Sequence, residues 1–265
     1  MKKKIIIALI VLALAGGTAF WYFVLRDEKL NVGTKNIDSS QSARDVEEQS
    51  TPDGTWSIKQ QNDVFAGYQI DELFGGASVK TSAVGKSKVV SGTFVVDGTT
   101  ISDGIITVDT TEMKSDKPGR DNKMAGEGLE TDAFPEAIFK QSKPVTFSSA
   151  FAKNEEIEIE IPGTLTLHGQ SQEVTFPLKA TWDGKVIKIS GELELTLSDY
   201  GIEAPDSSFV AVEKQGFLKV QLLFLLKAGS SKKSSTEDTT TSTTTPAVTQ
   251  TTVSQTTTTV DPYGY

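Results

Sequence analysis

The sequence predicts an all-β protein, an antiparallel barrel of eight or slightly more strands with a short helical insertion, carried behind one N-terminal transmembrane helix. Three observations predict this class. Apolar and polar residues alternate with a period of two through most of 52–227, as strands with one buried face do. Asp-Gly pairs stand between successive apolar rows, where tight hairpins need a residue that accepts positive φ. An uncharged apolar run, Ile5 to Leu25, stands apart from the rest.

Taken in chain order, four zones follow. Residues 1–25 combine Lys2, Lys3 and Lys4 with the run IIIALIVLALAGGTAFWYFVL. Its residues would make a helix of roughly 32 Å, against a hydrocarbon core of about 30 Å. The lysines place the N-terminus in the cytoplasm and the remainder outside the membrane. The rival reading is a cleaved signal peptide, with Gly17-Thr18-Ala19 as its small-residue site. An apolar run that continues through Phe20, Phe23 and Leu25 is longer than such a peptide needs. Residues 26–51 are polar and aperiodic and read as a flexible tether, with Ser42–Gln49 as a candidate short helix. Residues 228–265 are Thr- and Ser-rich, a composition that predicts a disordered tail and suits O-glycosylation outside a cell.

The folded unit is 52–227. In Ile157-Glu158-Ile159-Glu160-Ile161 the alternation is strict, and Leu165 and Leu167 continue it. A second row runs Val174, Phe176, Leu178, Ala180, Trp182, and Asp183-Gly184 turns it into Ile187 and Ile189, then Leu193, Leu195 and Leu197. Val96-Asp97-Gly98-Thr99 separates Ser91–Val96 from Ile101–Val108, while Val145–Ser149 and Phe217–Leu226 add further strands. Trp56–Ile58 and Phe65–Tyr68 open the series, and one helical interruption is expected around Arg120 to Phe139. A closed barrel and a two-sheet sandwich both satisfy this pattern.

Composition narrows the chemistry. The chain of 265 residues has no Cys and one His, which excludes disulfides, thiol catalysis and metal centres that need two imidazoles. The whole net charge of −9 falls within 52–227, the wrong sign for a nucleic-acid binder. His168 lies at a strand end entering a turn, with no G-x-S-x-G nucleophile to serve, so it is expected to satisfy turn backbone groups or to face solvent. Asp97, Asp103, Asp109 and Asp116 lack calcium-loop spacing. No catalytic residue, metal site or cofactor is therefore expected.

Four segments resemble the YceI-like family. They are Ser91-Gly92-Thr93-Phe94-Val95-Val96-Asp97-Gly98; Arg120-Asp121-Asn122-Lys123-Met124 followed by Leu129 to Pro135 and Phe139; Gly163-Thr164-Leu165-Thr166-Leu167-His168-Gly169; and Asp199-Tyr200-Gly201-Ile202. Lys123 and Met124 depart from it, standing where many relatives have His and Leu. The resemblance implies a lipocalin-like barrel that holds a polyisoprenoid or other long-chain lipid in a tunnel. By alternation, Phe94, Phe147, Leu165, Leu167, Phe176, Trp182 and Leu195 are the candidate lining, unless they fill a dry core. Arg120 and Asp121 are the candidate polar mouth, or else a structural pair.

The expected function is a membrane-anchored, extracytoplasmic carrier of an isoprenoid-type lipid. The competing expectation is a cell-surface interaction module with a dry-packed barrel and a Thr-rich spacer. The expected partners are the lipid and the bilayer, with the oligomeric state, a homodimer included, left open.

Overall fold

A computed structural model describes residues 29–74, 79–147, 151–207 and 210–228. The proposed span, Ile5 to Leu25, and the Thr-rich tail lie outside the described residues. No helix among the described residues is long and apolar enough to cross a membrane.

Among the described residues, twelve strands form one antiparallel sheet: β1 (Gly54–Ile58), β2 (Phe65–Phe74), β3 (Val79–Ser87), β4 (Val90–Asp97), β5 (Thr100–Asp109), β6 (Lys114–Ser115), β7 (Glu136–Gln141), β8 (Val145–Thr146), β9 (Glu156–Leu167), β10 (Gln170–Trp182), β11 (Val186–Thr196) and β12 (Val210–Leu226). Several are halves of one longer strand. β1 and β2 follow each other along β12, pairing at Ile58↔Phe224 and Phe65↔Gln221. β3 and β4 lie on β2 and β1 in turn, and β5 and β6 pair with β4 and β3. Counted this way, eight staves run up and down in sequence order, and the ladders of β12 with β1 and β2 close the ring. The closed barrel, rather than the sandwich, is the fold.

The period-two rows land as the alternation requires. Along β9, Ile159, Ile161, Leu165 and Leu167 are buried while Glu158 and Glu160 are exposed. Asp97-Gly98 and Asp183-Gly184 form the expected hairpin turns, with Gly98 at φ 60° and Gly184 at φ 95°. The Asp183 carboxylate also accepts the backbone N–H groups of Lys185 and Val186, both at 2.9 Å.

The helical interruption is shorter than the sequence suggests. Helix α1 (Pro118–Lys123) runs into a π-helical turn, Met124–Gly128, and the chain is back in a strand by Glu136. Pro118 suits the first helical turn, where a missing N–H costs nothing. Phe139 therefore stands on β7, where Ile106 is its ladder partner.

The expectation of a free tether over 26–51 fails for residues 29–51, which strap the outside of the barrel. The N–H of Leu30 donates to the Gln69 side chain and that of Gly33 to Gln221. Thr34 Oγ1 donates to Glu156 at 2.6 Å, Asp38 N–H to Asp63, and Gln49 N–H to the Gly184 carbonyl. A 3₁₀ turn, Thr34–Asn36, is the only helix of this segment, so the candidate helix at Ser42–Gln49 is absent. Burial explains why a polar segment packs. Val186 and Leu223 point outward on their strands yet are fully buried, and Ile37, 2% exposed, belongs to the same cluster. The run Leu222-Leu223-Phe224-Leu225-Leu226 has apolar residues on both faces, and the strap covers its outer one.

Truncating Ile37 to Ala should destabilise the full chain by about 2–5 kcal/mol, read as a lower denaturation midpoint. A free tether would leave the midpoint unmoved.

Candidate ligand-binding site

Inside the barrel the inward rows do not meet everywhere. At one end they form a packed floor. Phe94 meets Phe224 edge-on at 4.7 Å, Phe147 meets Phe151 at 5.9 Å, and Trp56, Trp182 and Val96 are buried with them. At the other end Leu129, Leu165, Leu167, Leu195, Tyr200 and Ile202 form a second cluster beneath the π-helical turn, with Met124 packed against it. Between them lies a cavity of about 690 Å³.

Phe94, Leu165, Leu167, Phe176 and Leu195 line this cavity as the alternation predicts. Two candidates do not. Phe147 and Trp182 are part of the floor, and Trp182 borders a separate hollow beneath residues 48–53. The reason is their level along the barrel, which alternation does not encode: Trp182 ends β10 and Phe147 follows β8. The indole N–H of Trp182 has no partner among the described residues.

The polar pair also divides. Arg120 lines the cavity and grips the Glu72 carboxylate through two parallel bonds, Nε–Oε1 and Nη2–Oε2, both 3.0 Å. Its third arm, Nη1, holds Asp116 at 2.6 Å. The Arg120 and Glu72 side chains are each only 12% exposed. Burial works against the charge of Arg120, but the bonds to Glu72 and the field of Asp116 outweigh it and hold its pKa above the usual value. Asp121 has a structural task instead: its carboxylate accepts the N–H and Oγ of Ser115, tying α1 to β6.

Glu72 and Tyr68 are the residues that sequence reasoning missed. Both stand on the inward row of β2, with Ala66, Ile70 and Phe74. The signal was present as an acid on an otherwise apolar parity in FAGYQIDELF. Tyr68 lies across Gly85, its ladder partner on β3, where a Cβ would sit 2.4 Å from the ring. Only glycine leaves that space. Burial pushes the Tyr68 phenol well above its usual pKa, and Arg120, acting the other way, does not cancel it. Gly163 does the same service for Phe139, whose ring would be 2.5 Å from an added Cβ.

His168 closes the β9–β10 turn with φ at 50°. Its Nδ1 is 3.0 Å from the Tyr200 carbonyl, and its ring stands edge-on to Phe134 at 4.7 Å. Nε2 is 3.6 Å from the Glu130 carboxylate. These contacts join the turn to the segments on either side of it, in line with a role in the turn.

The YceI-like domain profile matches residues 56–224, which spans β1 to β12. The chain belongs to the YceI-like family. It is 29% identical over 105 residues to Protein YceI of Shigella flexneri, an alignment covering 37% of this chain and 51% of that one. The chain thus spans about half the length of the curated relative it matches. Among solved structures, a polyisoprenoid binding domain from Saccharophagus degradans, implicated in plant cell wall breakdown, superposes with a TM-score of 0.51 at 15% identity, over 65% of this chain and 98% of that one. BcnA of Burkholderia cenocepacia gives 0.45 at 20% identity, over 59% and 95%. At these identities the first likeness is one of fold. The YceI-like barrel here is thus defined by its own cavity and by the polar cluster facing into it.

Arg120→Ala should cost about 3–5 kcal/mol of stability, because it leaves the Glu72 carboxylate buried and unpaired. Replacing the pair together, Arg120→Met with Glu72→Leu, should recover most of that loss in the same denaturation assay. Tyr68 makes a second prediction. Its phenol is protonated in both states below about pH 10, and above that the unfolded chain deprotonates first. Stability is therefore held below pH 10 and lost as pH rises beyond it, and Tyr68→Phe should flatten that loss.

Proposed function

We propose that this protein is a membrane-anchored, extracytoplasmic binding protein that carries a long-chain isoprenoid-type lipid in its barrel. The observation that carries the reading is the cavity itself. Native interiors pack as densely as organic crystals, with few voids larger than a water molecule. A hollow of about 690 Å³, lined by Ile, Leu, Val and Phe between two packed ends, is the size of a small-molecule site. A dry-packed interaction module would have filled it with side chains.

An isoprenoid chain suits the hollow because both are apolar. At roughly 0.3 kcal/mol per heavy atom, each five-carbon unit contributes on the order of 1.5 kcal/mol, so several units bind usefully. The Saccharophagus degradans domain, which has the same fold, is described as polyisoprenoid-binding, and this supports the ligand class. Anchoring rests on the Ile5 to Leu25 run and the lysines before it. The lone histidine and the absence of Cys limit the nucleophiles and bases a catalyst would draw on.

Full-length protein purified with its membrane and examined by native mass spectrometry should carry a long-chain lipid recoverable by organic extraction. Leu195→Trp, which fills the cavity from its wall, should abolish that mass. Finding no lipid, together with unchanged binding of added lipid by the Trp variant, would overturn the reading. Removing residues 1–28 should move the protein to the soluble fraction, and full-length protein already soluble would refute the anchor.

A further inference from the structure

Resting on the anchor reading, we infer that the strap of residues 29–51 docks the barrel mouth-first on the bilayer, turning the α1 end towards the leaflet that holds the anchor. The cavity opens at that end. Its exposed lining residues, Lys123, Glu127, Glu203 and Ser207, are all there. At the floor the lining residues Phe94, Ile187 and Phe224 are buried.

The strap has a direction. β2 runs from the floor towards the α1 end, with Phe65 opposite Gln221 and Phe74 opposite Val210. The strap runs against it. The charge of Lys29 acts on Asp71, the N–H of Leu30 donates to Gln69, that of Gly33 to Gln221, and that of Asp38 to Asp63. By Gln49 the strap has reached the Gly184 turn at the floor. The chain before Lys29 therefore joins the barrel near its α1 end, at the level of Asp71.

Chain length then decides which end can meet the membrane. Leu25, the last residue of the apolar run, stands four residues before Lys29. Four residues reach at most about 14 Å when fully extended. Below the level of Asp71, β12 continues ten residues from Gly216, opposite Ile70, to Leu226 at the floor. That is about 34 Å of strand, or about 26 Å along the barrel axis at the usual tilt of about 40°. Four residues cannot bridge it, so the floor cannot face the bilayer. The rim at Phe74 is only three residues beyond Asp71, about 10 Å of strand, and is within reach. A free coil over 26–51 would have let either end touch; the strap leaves one. The rim also suits a head-group boundary. Val79, opposite Phe74 on β3, is 38% exposed, and the Lys117 ammonium stands 6.0 Å over the Phe74 ring. Such a lysine keeps its charge in water while apolar surface beside it turns towards the acyl chains.

The chain has no Cys, so single-cysteine variants each carry one label. Full-length Val79→Cys and Asn122→Cys mark the α1 end and Thr99→Cys marks the floor. Each is labelled with an environment-sensitive fluorophore and placed in phosphatidylcholine nanodiscs whose lipid bears a nitroxide on its head group. Both α1-end labels should lose fluorescence relative to nitroxide-free discs, and the floor label should keep it. Inserting about twenty Gly and Ser residues between Glu28 and Lys29, a flexible coil, should sharply reduce that difference. Floor loss equal to the α1-end loss, or a difference that the insertion leaves unchanged, would overturn the inference. An α1-end label that shifts to the blue without loss would assign the rim to a protein partner and overturn it as well. Full-length protein that stays out of the discs would instead refute the anchor reading, and the inference with it.

Discussion

Everything else in the protein depends on the ladder that β12 makes with β1 and β2, because it turns an open sheet into a closed one. β12 is the longest strand, and it spans both halves of a broken partner, meeting β1 near Phe224 and β2 from Gln221 outward. Closure removes the edges of the ring that β12 completes with β1, while on β3 only Gly85 and Lys86 find a second partner, in β6. It also makes every inward row face another inward row, so alternation along single strands becomes an enclosed apolar space. Without that ladder, Ile159, Leu165, Phe176 and Leu195 would line one face of a sheet open to water. The price of closure at the outer seam is the apolar back of β12, and the strap through Ile37 covers it.

The enclosed space is filled unevenly, and the unevenness defines the site. Large aromatic side chains collect at one level, where Trp56, Phe94, Phe147, Phe224 and Trp182 pack into a floor. Farther along the barrel the rows are mostly aliphatic, with Tyr68, Phe139 and Phe176 among them. Two glycines matter here. Gly85 and Gly163 let the Tyr68 and Phe139 rings lie against the wall and keep the middle of the barrel open.

Across the far end lies the helical segment, which is held by polar contacts more than by packing. Asp121 fastens α1 to β6, and Arg120 fastens it to β2 through Glu72. A fork of two parallel bonds fixes direction as well as distance, so the segment is oriented over the cavity. The same contacts occupy all three arms of the guanidinium.

Much of this was legible in the residues, because the interactions concerned are local. Strand periodicity, the Asp-Gly hairpins and the inward assignments of Phe94, Leu165, Leu167, Phe176 and Leu195 depend only on near neighbours in the chain. The likeness in Gly163 to Gly169 and three further segments pointed to the right family. What failed was what depends on distant partners. Phe147 and Trp182 share the parity of the cavity-lining residues but lie at floor level, and level is set by the register of the closed ring. Residues 29–51 lack any apolar period, yet they pack, because the buried surface they cover belongs to β11 and β12. Glu72 stands on an apolar parity, but nothing near it in the chain names its partner, Arg120, 48 residues away. Sequence by itself thus determined the strands, their faces and the class of barrel; tertiary structure alone decided the cavity's depth and the pairing inside it, because those follow from contacts between chain segments that no local pattern joins.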